Sequence, residues 1–331
     1  MPHVKTREMP PHNCQSAHPS CLSHFLTACE RTWAHNAWKM KLIVTSDLHQ
    51  WAAKWADLVR LVLQEQPRFV LVAGDLLPKV GGYAGQRRFF PKLRCYLKEI
   101  RESSPATVLL YFGNDDYHIL EPLLDELAAD GLCVNLNGRL HREASLSFGG
   151  MNKVRDYPFG YKHWCVLDGD FGVSPVQFCG EGLTLNASGE FVPLANLARY
   201  LSEKPTLEEE LARITALVQP EEMMRSIWMI HQPPSHLGMD ICADGQRVGS
   251  PTVLRFIRDH QPLLGCSGHI HESPCQPGGQ WGAWVGRTLW LQPGQVDRRL
   301  HCVIVQLSPG FQVESARHTL YGEFRASSPG A

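Results

Sequence analysis

The stretch "TVLLYFGNDDYH", Thr107–His118, decides the fold. Its first six residues are β-branched, aliphatic or aromatic, the make-up of a buried strand. The chain then passes Gly113 and meets an amide and two carboxylates, Asn114, Asp115 and Asp116. One carboxylate there would be a turn residue. Three metal-friendly side chains in a row, where a strand surfaces, point further.

The same grammar recurs along the chain. "KLIVTSDLH", 41–49, runs into Asp47 and His49, and "FVLVAGD", 69–75, ends on Asp75. "SIWMIH", 226–231, ends on His231, and "LLGCSGHIH", 263–271, delivers His269 and His271. Two more runs of strand length are "TLWLQ" and "HCVIVQL". Helical patterns lie between them. In "WAAKWADLVRLVLQEQ", Trp51, Trp55, Leu58 and Val62 recur at helical spacing, and the two tryptophans are read as core packing rather than as stacking surfaces for a substrate. "RRFFPKLRCYLKEIRE" and "PLLDELAAD" behave likewise, and "SPTVLRFIRDHQP" opens with Ser250 as N-cap and Pro251 at the first helical position. Strands alternating with helices predict an α/β domain.

In open α/β sheets, ligands bind outside the carboxyl ends of the strands. Five strands would thus bring their polar residues to one edge. Residues i and i+2 of an extended segment point the same way, which groups Asp47 with His49 and His269 with His271. Each piece alone is weak, since an acidic residue or a histidine after a strand is commonly a cap or turn. Five in chain order are not an accident of turns. Carboxylate, imidazole and amide together suit manganese, iron or zinc and lack the thiolates of a structural zinc site.

Composition narrows the class. The chain has 331 residues, 44% hydrophobic, enough for a full core. A net charge of -1 gives no long-range attraction for nucleic acid or anionic membrane. Eleven scattered cysteines without a C-x-x-C pair, no secretory signal and no long apolar run predict a soluble cytoplasmic protein with free thiols. Residues 1–39 hold five of the sixteen histidines and three of the cysteines, without zinc-site spacing. They read as a poorly ordered leader with a short helix around Leu22 to Trp38. Met40 opens the domain, 40–331. Within it, residues 152–225 form an irregular excursion from the sheet that includes the acidic helix "TLEEELARITALV".

Taken together, "DLH", "GD", "GND", "H" and "GHIH" resemble the five-block pattern of the calcineurin-like metallophosphoesterases. From "HQPP" to "LWLQPGQ" the chain looks like the compact branch that resembles cyclic-nucleotide phosphodiesterases. The resemblance spans Lys41 to about Leu307. It implies a four-layer α/β/β/α sandwich of two mixed sheets flanked by helices. It also implies two divalent metal ions, with Asp47, His49 and His271 on the first, Asn114, His231 and His269 on the second, and Asp75 bridging. The activity implied is hydrolysis of a small phosphodiester or phosphomonoester by water activated between the metals. The same motif set resembles nucleases of DNA-repair complexes, against which the neutral charge argues, and scaffolds that keep the fold without catalysis.

The family carries a histidine, a proton donor, where this chain has Asp115. With an ordinary pKa of about 3.9, an aspartate near cations is ionised and cannot donate. It would position water or a neighbouring group instead, with Asp116 in support. His118 has two readings, a proton donor reaching back or a surface histidine opening the next helix. In the excursion, Lys153, Arg155, Lys162 and His163 are candidate contacts for the substrate's phosphate or base.

Overall fold

A computed structural model describes residues 40–51, 53–156, 159–169 and 182–324. The leader and its candidate helix lie outside these residues. Three β–α units open the domain: β1 (Met40–Thr45), α1 (Ala53–Glu65), β2 (Phe69–Val72), α2 (Gly82–Ser103), β3 (Thr107–Leu110) and α3 (Glu121–Ala129). Then follow β4 (Val134–Asn135), β5 (Leu140–Glu143), β6 (Leu146–Met151), β7 (Val154–Arg155) and β8 (Cys165–Val166). Next come β9 (Leu183–Leu185), β10 (Phe191–Pro193), α4 (Leu197–Ser202), α5 (Leu207–Thr215), α6 (Pro220–Met223), β11 (Ser226–Ile230) and α7 (Pro251–His260). The chain closes with β12 (Leu264–Cys266), β13 (Gly282–Val285), β14 (Thr288–Leu291), β15 (Val303–Leu307), β16 (Val313–His318) and β17 (Gly322–Glu323).

Two mixed sheets result. One runs β17-β16-β15-β1-β2-β3-β4, with β1 to β4 parallel and β15 antiparallel to β1. The other runs β13-β14-β12-β11-β6-β5, with β14, β12, β11 and β6 parallel. Alternation within each strand explains the layers, because successive side chains point to opposite faces. Leu42, Val44, Leu71, Leu109 and Tyr111 meet Phe148, Ile227, Met229, Leu264 and Leu289 between the sheets. Ile43, Val70, Val108 and Leu110 face Trp55, Leu58, Leu93, Leu97 and Leu124 of α1, α2 and α3. Trp228, Ile230 and Trp290 face Leu207, Leu211, Val253 and Phe256 of α5 and α7. This is the four-layer sandwich, helices outside and two sheets within.

The excursion at 152–225 divides. Its α5, with the capping box of Thr206 and Glu209, belongs to the outer helix layer and packs on the second sheet. The pairs β7–β8 and β9–β10 stand apart from both large sheets. Ser250 caps α7 through its Oγ, which accepts from the Val253 amide at 3.0 Å. No helix among the described residues is long and apolar enough to cross a membrane. The described cysteines are free thiols.

His318 ties β16 to the body of the fold and supplies a pH test. Its Nδ1 accepts from the Leu320 amide at 3.0 Å, so Nε2 carries the proton and donates to the Pro293 carbonyl at 2.8 Å. Burial, with His301 adding to it, pushes its pKa down to about 4. Between pH 6.5 and 4 the unfolded chain takes up a proton that the folded chain refuses. Stability is therefore complete above the unfolded value and lost as the pH falls, by about 1.4 kcal/mol per unit for this group. Urea unfolding across this range should show a shallower acid loss in His318→Gln than in the native protein. Equal slopes would refute the assignment.

Candidate metal centre

The carboxyl ends of β1, β2, β3, β11 and β12 meet at one place, and backbone bonds lock their loops together. The Asp47 amide donates to the Gly74 carbonyl at 3.0 Å, and the His49 amide to the Asp75 carbonyl at 3.1 Å. Other bonds cross from one sheet to the other. His231 Nδ1 donates to the Ala73 carbonyl at 2.7 Å, and the His269 amide donates to Asp47 Oδ1 at 2.9 Å. Asp47, Asp75 and His269 all sit in the left-handed backbone region, at φ 55°, 54° and 70°. Strain at three non-glycine residues persists only where surrounding contacts enforce it, and it clusters at functional sites.

The side chains fall into two groups. Asp47, His49 and Asp75 each offer a ligand atom, all within 4.8 Å of one another. On the other side Asn114 Oδ1 lies 3.0 Å from His231 Nε2 and 2.6 Å from His269 Nδ1. Asp75 stands between the groups, its Oδ2 4.0 Å from His49 Nε2 and 3.6 Å from His231 Nε2. The rings of His271 and His49 are 5.8 Å apart between centroids. Gly113 allows the close approach of these loops. A Cβ there would fall 2.2 Å from Asp75 Oδ1 and 2.3 Å from the Asp75 amide.

These residues fit a bound cation on two counts. Asp47 Oδ2 and His49 Nε2 are buried polar atoms that no hydrogen bond satisfies, a state that normally demands an explanation. The charges also fit. Burial disfavours a proton on His231, yet the Asp75 carboxylate, joined by Asp47 and the Ala73 carbonyl, outweighs it and lifts the pKa to about 9. His49 is raised in the same contest, by Asp75 and Asp115 against burial. Asp75 in turn is held far below the usual carboxylate range by both imidazoles, against its burial. The protons on these rings occupy places that a metal would take, releasing them. His269 differs, since burial and then His231 push it down to about 3, leaving a neutral ring.

Asp116 fastens this constellation from beneath. Its carboxylate accepts from the Leu76, Leu77 and Gly113 amides at 2.9, 2.8 and 2.8 Å. Burial and the neighbouring Asp75 raise its pKa to about 7 against those three donors. Asp116→Ala would orphan three buried amides, a loss of roughly 3 kcal/mol at about 1 kcal/mol each. Denaturant titration checks this, and a loss below half that figure would contradict it.

The other candidates have different surroundings. The Asp115 amide donates to Asp75 Oδ1 at 2.8 Å, and its Oδ2 lies 3.3 Å from His49 Nδ1. That same oxygen pairs with Lys79, a half-exposed residue that sequence reading passed over. Lys79 is a lone lysine in a loop, and no spacing connects it with Asp115 in the sequence. His118 turns to Tyr161, its Nδ1 2.6 Å from the phenol oxygen, and its ring stacks on His163 at 3.5 Å. Burial and the ammonium groups of Lys204 and Lys153 lower its pKa. His163 is pushed down to about 3 by burial and then by His118, so both rings are neutral.

Arg155, expected as a substrate contact, has internal partners instead. Its Nη1 donates to the Gly249 carbonyl at 2.5 Å, and its Nε lies 3.7 Å from Asp168 Oδ2. Lys162 is buried against Asp156. The excursion still reaches the centre through Phe159, whose ring stands edge-on to His269 at 5.6 Å. Trp55 is in the core as expected, donating to the Leu76 carbonyl, whereas Trp51 lies at the surface beneath Arg298.

Known proteins place this arrangement in a class. Residues 40–273 match the family model described as calcineurin-like phosphoesterase. The protein is a metal-dependent phosphoesterase. The chain belongs to the calcineurin-like phosphoesterase family. Among solved structures it is similar to TT1561 of Thermus thermophilus, with 14% identity, a TM-score of 0.50, and coverage of 84% of this chain and 98% of that one. It is also similar to a dimetal phosphatase from Danio rerio, with 14% identity, a TM-score of 0.49, and coverage of 87% and 97%. No curated protein matches it by sequence.

Proposed function

We propose that the protein hydrolyses a small phosphomonoester or phosphodiester with two divalent ions of the manganese, iron or zinc kind. Asp47, His49 and His271 would hold one ion, Asn114, His231 and His269 the other, and Asp75 both. The position of the Asp75 carboxylate between the two ligand groups carries this reading. Bound there, the ions would supply Lewis acidity and concentrated positive charge at the phosphoryl group.

The chain's own residues do the rest. Asp47 and Asp75 bring two negative charges, fewer than two divalent ions carry, so the loaded centre stays positive and attracts a phosphate ester. The Ala73 carbonyl fixes the His231 ring with Nε2 turned inward. Asp115 is ionised, its pKa lowered by His49 and Lys79 against burial and Asp75. It cannot give a proton to a departing alkoxide. Esters with acidic leaving groups, such as aryl phosphates or phosphoanhydrides, are then the favoured substrates.

The test is a screen of aryl phosphate mono- and diesters with the metal-supplemented protein, before and after chelation. Hydrolysis that chelation abolishes supports the proposal. A protein that binds two metals and cleaves none of these esters would instead be a scaffold that has kept the centre.

A further inference from the structure

We infer that Lys79 presents its ammonium group to the phosphoryl oxygens of the substrate at the mouth of the centre, with Asp115 as its positioning partner. The inference rests on the function proposed above and names a residue which that reading leaves out. Accessibility is graded along the line. The side chains of His49 and Asp75 are 0% and 2% exposed, that of Asp115 is 22% exposed, and that of Lys79 is 50% exposed. The Asp115 amide is fixed to Asp75 Oδ1, and Asp115 Oδ2 lies between His49 Nδ1 and the Lys79 ammonium. Lys79 is anchored as well, its amide donating to the His49 carbonyl at 3.3 Å.

Charge gives this line its purpose. A bare carboxylate beside the entrance would weaken the pull of the loaded centre on an approaching phosphate ester. Lys79 cancels that charge. An ammonium group has three donors, and one of them on Asp115 leaves the others for an incoming anion. The alternative is an ordinary surface ion pair, which contributes little to stability and nothing to anion binding. The two accounts differ in what removal of the ammonium does to anion affinity.

The experiment is calorimetric titration of inorganic phosphate into the full-length, metal-loaded protein, with metal content and melting temperature measured in parallel. Lys79→Met should bind phosphate about tenfold to a hundredfold more weakly, the scale of one charge-assisted hydrogen bond. Its metal content and melting temperature should match the native protein. Lys79→Arg should retain most of the affinity. Adding Asp115→Asn to Lys79→Met should recover part of the loss, because the uncompensated carboxylate is then gone. With aryl phosphates, Lys79→Met should raise KM more than it lowers kcat. Unchanged phosphate affinity in Lys79→Met would overturn the inference, as would a metal-loaded native protein that binds no phosphate. A chain that loads no metal would overturn the proposed function, and this inference with it.

Discussion

Asp75→Asn is expected to leave a folded protein with hydrolysis reduced roughly a thousandfold or more, the scale on which such centres stabilise charge. One Asp75 oxygen accepts from the Asp115 amide, and the other faces His231 Nε2 and His49 Nε2. The substitution keeps the shape and removes the negative charge on which both groups of side chains converge. An amide also directs two hydrogens toward groups that want an acceptor. Circular dichroism should be unchanged while bound metal and activity fall together. Native activity in the variant would remove Asp75 from its central place.

Gly113→Ala is the second large effect. The added methyl group would sit 2.2 Å from Asp75 Oδ1 and 2.3 Å from the Asp75 amide. A flexible side-chain tip could yield, but a backbone nitrogen in a locked loop cannot move alone. The Asp116 carboxylate also holds the Gly113 amide at 2.8 Å. The loop carrying Asp75 must therefore shift, and metal affinity should fall about tenfold to a hundredfold, as when groups behind a ligand are disturbed. The overpacked loop should also lose about 1–3 kcal/mol of stability. Elemental analysis and thermal melting check both. Full metal occupancy in the variant would show that the loop has slack that the geometry denies.

The sheet edge was legible in the sequence because each strand announces its own end. In "KLIVTSDLH" and "TVLLYFGNDD" an apolar run stops and polar residues follow at once. The strand β6, "LSFGGM", left no such signal, because two adjacent glycines weaken strand propensity. Packing explains at least one of them: a Cβ on Gly149 would fall 2.8 Å from the Trp228 ring. The helix α2 starts at Gly82, ahead of the apolar periodicity from Arg87, and runs through Pro91. Long-range polar partners were hidden as well. Nothing in "RDYPFGYKHW" shows that Arg155 meets a carbonyl 94 residues further on. A basic residue in a loop looks the same whether it awaits a substrate or closes an internal bond. Lys79 is the opposite case, silent in sequence and placed beside the centre by the fold.

Metal stoichiometry tests the central claim most directly. Elemental analysis of the purified, metal-supplemented and exhaustively dialysed full-length chain should find two divalent ions per molecule, and Asp75→Asn should lose them. A folded native protein that retains no metal under those conditions would contradict the account at its root.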